Sequence, residues 1–322
     1  MRRMSVLFAS AIALAACQAV EPAKSASSAQ LAAPALAPAA PAPPTLAAPA
    51  APVVAAAQPV AASGDPCAAT LGPRPTTGTP GGRPPGAPAA APGGAPGAAP
   101  GAAPAARPSL PALPPATEPR PRDDVRHQCF VQTAKAGNID LLFVGDSITD
   151  WWRQEQRGKS EWEKTWAPLK AANFGIAGDT TQGVLWRMQN GELEGFKAKT
   201  IVLMLGTNNL RRNELADIAA GDAAILAEFR KRQPQAKVLI LGVFPRGAAP
   251  DNEFRPMIKE LNGHLAKLAD NKQVFYLDIG PKFLTADGTL TTEIMADGLH
   301  PTLKGYQVWA AATVDKVKEL MK

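Results

Sequence analysis

Leu141-Leu142-Phe143-Val144 is a continuous apolar run without a 3.6-residue period, closed at once by Gly145-Asp146-Ser147. Such a run reads as a strand buried on both faces, the kind found in parallel sheets covered by helices. The pattern recurs at Ala171 to Phe174, Thr200 to Leu205, Val238 to Val243 and Val274 to Leu277. Between these runs lie helical stretches, Thr180 to Leu193, Glu214 to Arg230 and Glu253 to Leu268, and a last one starts at Pro301. On the second of them Leu215, Ile218, Ala219, Leu226 and Phe229 share one face. Strands alternating with helices predict βαβ units, hence an α/β fold of three α/β/α layers around a central five-stranded parallel sheet. Residues 122–322 carry this pattern and are long enough for one core.

The first third of the chain is different material. Met1 to Ala16 has Arg2 and Arg3 followed by an apolar run that ends in small residues, the pattern of a secretory signal too short to span a bilayer. Leu14-Ala15-Ala16-Cys17 resembles the lipobox of bacterial lipoproteins, which implies a lipidated Cys17 at the start of the mature chain. Gln18 follows it rather than Asp, which by the same resemblance favours anchoring at the outer membrane, on its periplasmic side or at the surface. Residues 17–121 read as a tether: 26 of the 33 prolines fall between Gln18 and Pro121, alanine and glycine fill most of the rest, and aromatics are absent. A segment with so little to bury does not fold alone, and its prolines keep it semi-extended.

Two cysteines remain, Cys67 and Cys129. In an oxidising compartment they could pair, and the sequence leaves a disulfide and two thiols equally open. The net charge of +6 is concentrated outside the domain, since 27 cations and 25 anions follow Pro121. That balance shows no basic face for nucleic acid and no polybasic membrane patch. Neither cysteine has metal-ligand spacing, and no dinucleotide or P-loop fingerprint accompanies Gly175, Gly178 and Gly183. No cofactor or metal is expected.

Four short motifs fall at strand ends or before the last helix, where loops of an open α/β sheet face one crevice. These are Gly145-Asp146-Ser147, Asn173 to Thr181 around Gly178, Gly206-Thr207-Asn208-Asn209, and Asp297-Gly298-Leu299-His300-Pro301. Their chemistry is coherent. A serine hydroxyl needs an adjacent base to become a nucleophile, and His300 can take its proton and return it to a leaving alcohol. Asp297, three residues earlier, can hold the other imidazole nitrogen. The N–H groups of Ser147 and Gly178 and the amide of Asn208 can donate to an oxyanion. As structure alone, Ser147 is a helix cap, and Gly178 and Asn208 are turn residues. His127 and His264 read as structural or exposed, and Asp146 and Asp179 as loop-fixing groups; Trp151, Trp152, Trp162, Trp166 and Trp186 could line a substrate cleft, though most of them read as packing.

These blocks, in this order, resemble the SGNH (GDSL-type) serine hydrolases across the whole domain, with Ile148 where many members carry leucine. Asn173 to Leu193, Arg232 to Lys237 and Leu241 to Gly247 further resemble the catalytic subunits of the intracellular platelet-activating-factor acetylhydrolases. The resemblance implies a flavodoxin-like SGNH fold, a Ser147-His300-Asp297 triad and an oxyanion hole of Ser147, Gly178 and Asn208. It implies an esterase for short acyl groups, acetyl above all, acting on O-acetylated glycans or small envelope esters. The alternatives are a phospholipid, lysophospholipid or platelet-activating-factor-type acylhydrolase and, outside enzymes, an envelope-binding lipoprotein. The acetylhydrolase resemblance also permits a homodimer.

Overall fold

The strands of this chain are short because each is apolar on both sides and must end where helices stop covering it. The computed structural model describes Cys67 and residues 111–322. Strands β1 Leu141–Gly145, β2 Ala171–Gly175, β3 Thr200–Met204, β4 Lys237–Leu241 and β5 Val274–Leu277 form one sheet, ordered β2-β1-β3-β4-β5. Every pairing is parallel, and Leu141 stands between Ala171 and Thr200. The helices are α1 Val125–Ala136, α2 Ser147–Asp150, α3 Lys159–Thr165, α4 Thr181–Gln189, α5 Leu215–Arg232, α6 Phe254–Ala266 and α7 Leu303–Leu320.

Side chains alternate across the strands, so each strand feeds two cores. Leu142, Val144, Ile201, Leu203, Val238 and Ile240 join one core with residues of α1, α4, α5 and α6. Leu141, Phe143, Val202, Met204, Leu239 and Leu241 join the other, with Trp152, Trp166 and the α7 residues Tyr306 and Trp309. This is the expected three-layer α/β/α arrangement. The carboxyl end of β1 lies between a neighbour reached forward in sequence, β2, and one reached by a longer crossover, β3. That is a switch point, where such sheets leave a crevice.

Some elements differ from the sequence reading. The helix expected to run from Thr180 to Leu193 stops at Gln189, because Gly191 adopts a φ of 102° and turns the chain. The turn brings the Glu192 carboxylate back to Arg187 on the same helix. Helices α1 and α3 had no periodic apolar signal. Helix α1 buries only His127, Phe130 and Ala134, too narrow a stripe to be seen, and Asp124 caps it by accepting the His127 N–H at 3.0 Å.

The boundary at residue 121 is also corrected. Residues 111–121 lie along the domain: Leu113 N–H donates to the Arg212 carbonyl, Ala116 N–H to Asp217 at 2.9 Å, and Arg120 N–H to the Gln182 carbonyl. The Pro114 carbonyl accepts from both Gln182 (2.8 Å) and Asn213 (2.9 Å). Ala116 is fully buried beside Gly221, where a β-carbon would stand 2.7 Å from the Ala116 oxygen. Composition hid this, because a proline-rich strap needs no core of its own when its carbonyls meet side-chain donors. Cys67 is likewise held, in a disulfide to Cys129 on α1 with the Cα atoms 5.8 Å apart. The question that the sequence left open is thus resolved as pairing. Cys17 lies outside the described residues, as do residues 1–16.

A chain starting at residue 111 is expected to melt several degrees above one starting at Arg122, since the strap's hydrogen bonds and the burial of Ala116 contribute roughly 2 kcal/mol or more. Equal melting temperatures would show that the strap adds nothing.

Candidate active site

β1 ends in Gly145, and Asp146 then caps α2 by accepting the Ile148 N–H at 2.9 Å. The sharp exit leaves Ser147 at the first position of α2, 6% exposed. Its Oγ is 3.0 Å from His300 Nε2. On the far side of the ring, His300 Nδ1 is 2.6 Å from Asp297 Oδ2. Asp297 Oδ1 accepts the backbone N–H groups of His300 at 2.8 Å and Leu299 at 3.1 Å, so a tight turn fixes the carboxylate and the ring together. Burial would raise the Asp297 pKa, but the His300 ring and these two N–H donors outweigh it and hold the carboxyl well below its ordinary range. An anion therefore stands ready beside the imidazole.

Gly178 and Asn208 come to the same end of the sheet. Gly178 has a φ of 79°, which a side chain resists, and nothing lies within 4 Å of where its β-carbon would be. Its N–H makes no hydrogen bond among the described residues. Asn208 gives one amide hydrogen to the Asp179 carbonyl at 2.8 Å, which leaves the other for a ligand. Neighbouring Asn209 is structural, donating to Thr181, Gln182 and Asn213 from a fully buried position.

The Gly178 loop is held from below by buried charge. Asp150 on α2 accepts the Ala177 N–H at 3.1 Å while its other oxygen meets Arg126 at 2.8 Å and Arg153. Arg187, fully buried on α4, joins Asp179, Glu192 and the Phe174 carbonyl, and His127 adds a 2.8 Å contact to Glu192. Asp179 thus fixes its loop, as read, and His127 is structural, buried against Glu192. His264 is partly exposed on α6, 3.9 Å from Glu260. The sequence had no signal for Arg126, Arg153 and Arg187, because only the fold brings their partners to them.

Trp151 is one of the tryptophans not confined to packing. Its ring lies against His300, centroids 3.8 Å apart, and the Arg157 guanidinium lies 4.3 Å from the indole centroid. Arg157 also donates to the Pro301 carbonyl at 3.0 Å, so one arginine steadies both the indole and the His300 loop. A tryptophan four residues after Ser147 is the only trace of this in sequence.

Two cavities lie near these loops. The larger, about 890 Å³, sits among Leu113, Arg211, Leu215, Met257 and His264 and contains none of the motif residues. The smaller, about 310 Å³, opens beside Gly178 and Thr180 and is walled by Leu113, Arg120, Arg122 and Arg212. The smaller one adjoins the unengaged Gly178 N–H, and Ser147 and His300 are not among its lining residues.

Residues 143–308 match the GDSL-like Lipase/Acylhydrolase family. The chain belongs to that family. The alpha2 subunit of platelet-activating factor acetylhydrolase IB from Rattus norvegicus is 42% identical over 204 residues, 60% of this chain and 85% of the relative. The human alpha1 subunit is 38% identical over 201 residues, 60% of this chain and 84% of its own. A structure from Bacteroides fragilis described as an acylhydrolase shares the fold with a TM-score of 0.52 and 18% identity, covering 62% of this chain and all of that one. This GDSL protein is a carboxylic ester hydrolase with the fold expected of it.

Two outcomes are expected at the site. Asp146 is fully buried, and burial lifts its carboxyl to about 7, partly offset by the Ile148 N–H. Its folded pKa exceeds the unfolded one, so the neutral acid's contribution to stability is complete below about pH 4 and is lost as pH rises through about 7. Asp146→Asn should keep the cap and flatten this part of the stability–pH curve, which thermal melts from pH 4 to 8 measure. An unchanged slope would mean that the carboxyl is ionised throughout. Replacing Trp151 by Leu should lower kcat on a small ester about three- to tenfold, with Phe retaining more than Leu, the scale of one aromatic contact. Equal effects of Leu and Phe would show that the face of the ring does not matter.

Proposed function

We propose that this GDSL esterase is an acetyl-ester hydrolase working through Ser147, His300 and Asp297. The observation that carries it is the unbroken hydrogen-bonded chain Ser147–His300–Asp297 beside the unengaged Gly178 N–H. In the first half-reaction Ser147 Oγ bonds to the ester carbonyl carbon while His300 Nε2 takes the hydroxyl proton. The carbonyl oxygen, now anionic, receives hydrogen bonds from the N–H groups of Ser147 and Gly178 and from the Asn208 amide. The intermediate collapses, the bond to the alcohol oxygen breaks, and His300 returns the proton to the leaving alcohol. Water then adds to the acyl-serine by the same route, giving acetic acid and free Ser147.

A short acyl group is favoured by the relatives, which are named for an acetylhydrolase. O-acetylated glycans or small envelope esters are the proposed targets. We further propose export and lipid anchoring through Cys17. The Cys67–Cys129 disulfide supports that placement, because such bonds persist in oxidising compartments.

Hydrolysis of p-nitrophenyl acetate, butyrate, octanoate and palmitate should fall steeply after butyrate, and Ser147→Ala should lose at least about a thousandfold in kcat. A profile that peaks at octanoate or palmitate would instead make the protein a lipase, and full activity in Ser147→Ala would remove the serine mechanism.

A further inference from the structure

The cavity beside Gly178 holds more positive charge than hydrolysis of a neutral ester requires. Arg120, Arg122 and Arg212 all line it. Arg122 is committed: its Nε lies 3.2 Å from Asp124, and it donates to the Ala177 carbonyl at 3.2 Å, steadying the residue before Gly178. Arg120 and Arg212 are not committed in this way. Neither has a carboxylate partner among the described residues, and Arg212 is tied only through Nε to the Pro111 carbonyl at 3.2 Å. The carboxylate that lines the same cavity, Asp179, is buried and bound by Arg187. The first turn of α4, which borders the cavity at Thr180 and Gly183, carries no acidic side chain.

Two guanidinium groups without counter-ions, in a cavity of about 310 Å³ that opens at the oxyanion-binding glycine, form a site for an anion. We infer that the natural ester carries a carboxylate or phosphate group, which Arg120 and Arg212 bind while the scissile carbonyl lies at Ser147. This rests on the acetylesterase reading, and that reading decides which side of the ester bears the anion. An acetyl group has nothing to ionise, so the charge belongs to the alcohol. The substrate class is an O-acetylated anionic alcohol, such as an acetylated acidic sugar or an acetylated phosphoryl alcohol.

The strap at residues 111–121 then has a purpose beyond packing. Its backbone bonds from Leu113 to Arg212 and from Arg120 to Gln182 hold the backbone of both arginines that line the cavity. Both arginines depend on the segment that composition assigns to the tether.

The test uses the full chain and three acetyl esters of similar shape: 4-acetoxybenzoate, 4-acetoxyphenyl phosphate and the neutral 4-acetoxybenzamide. The anion-to-neutral ratio of kcat/KM should drop about tenfold in Arg120→Ala/Arg212→Ala, through KM, and recover in part in the double lysine variant; the effect should shrink in high salt. A preference confined to the benzoate would assign a carboxylate, and one confined to the phosphate a phosphoryl group. A ratio unchanged by the double alanine variant, or an equal loss on the benzamide, would overturn the inference. Calorimetry of 4-hydroxybenzoate, 4-hydroxyphenyl phosphate and 4-hydroxybenzamide with Ser147→Ala answers without turnover. Anion binding that the arginine variants abolish would uphold the subsite even if the esterase reading failed, and no preference for the anions would sink it even if that reading held.

Discussion

The carboxylate of Asp150 is the point on which the site's geometry depends. It belongs to the helix that starts with Ser147, yet one of its oxygens accepts the Ala177 N–H from the loop after β2. The other oxygen faces Arg126 from α1 and Arg153, which reaches on to the carbonyls of Asn173 and Gly175. A single anion thus ties the loop that carries Gly178 to the helix that begins with Ser147. A 3% exposed carboxylate survives there because two guanidinium groups and an N–H satisfy it; removing one partner would leave uncompensated charge.

Around that point the protein separates two jobs. Buried ion pairs, Arg187 with Asp179 and Glu192 and the Asp150 cluster, make the loops rigid beneath the crevice. Elsewhere, groups are left with spare capacity: the Gly178 N–H, one Asn208 amide hydrogen, and the guanidinium groups of Arg120 and Arg212. Asp146 and Asp222 are a third case, buried carboxyls whose pKa values burial raises. Below about pH 7 the neutral form of Asp146 predominates, which lessens the negative charge next to Ser147.

All five strands lay within a residue or two of where the apolar runs put them, because a strand buried on both faces declares itself by composition alone. The motif residues were legible for a similar reason: glycine at a positive φ, a serine at a strand exit and Asp297 three residues before His300 are local patterns. Helix α1 was not legible, since one buried residue per turn, with histidine among them, gives no apolar period. The strap was misassigned because prolines and alanines look alike whether they hang free or lie against Gln182 and Asn213. The sequence left Trp151 open between cleft and packing because its stacking on His300 depends on a residue nearly 150 positions away.

The sequence by itself determined the α/β layering and the family, and it pointed to Ser147, His300 and Asp297, which the fold joins by hydrogen bonds; these follow from local periodicity, turn chemistry and motif order. Only the tertiary structure decided how the crevice is held and charged. It chose which arginines are neutralised and which stay open, joined Cys67 to Cys129, and turned part of a presumed tether into a wall. The reason is physical: burial, pKa and ion pairing depend on partners distant in the chain, and no local pattern encodes the distance between them.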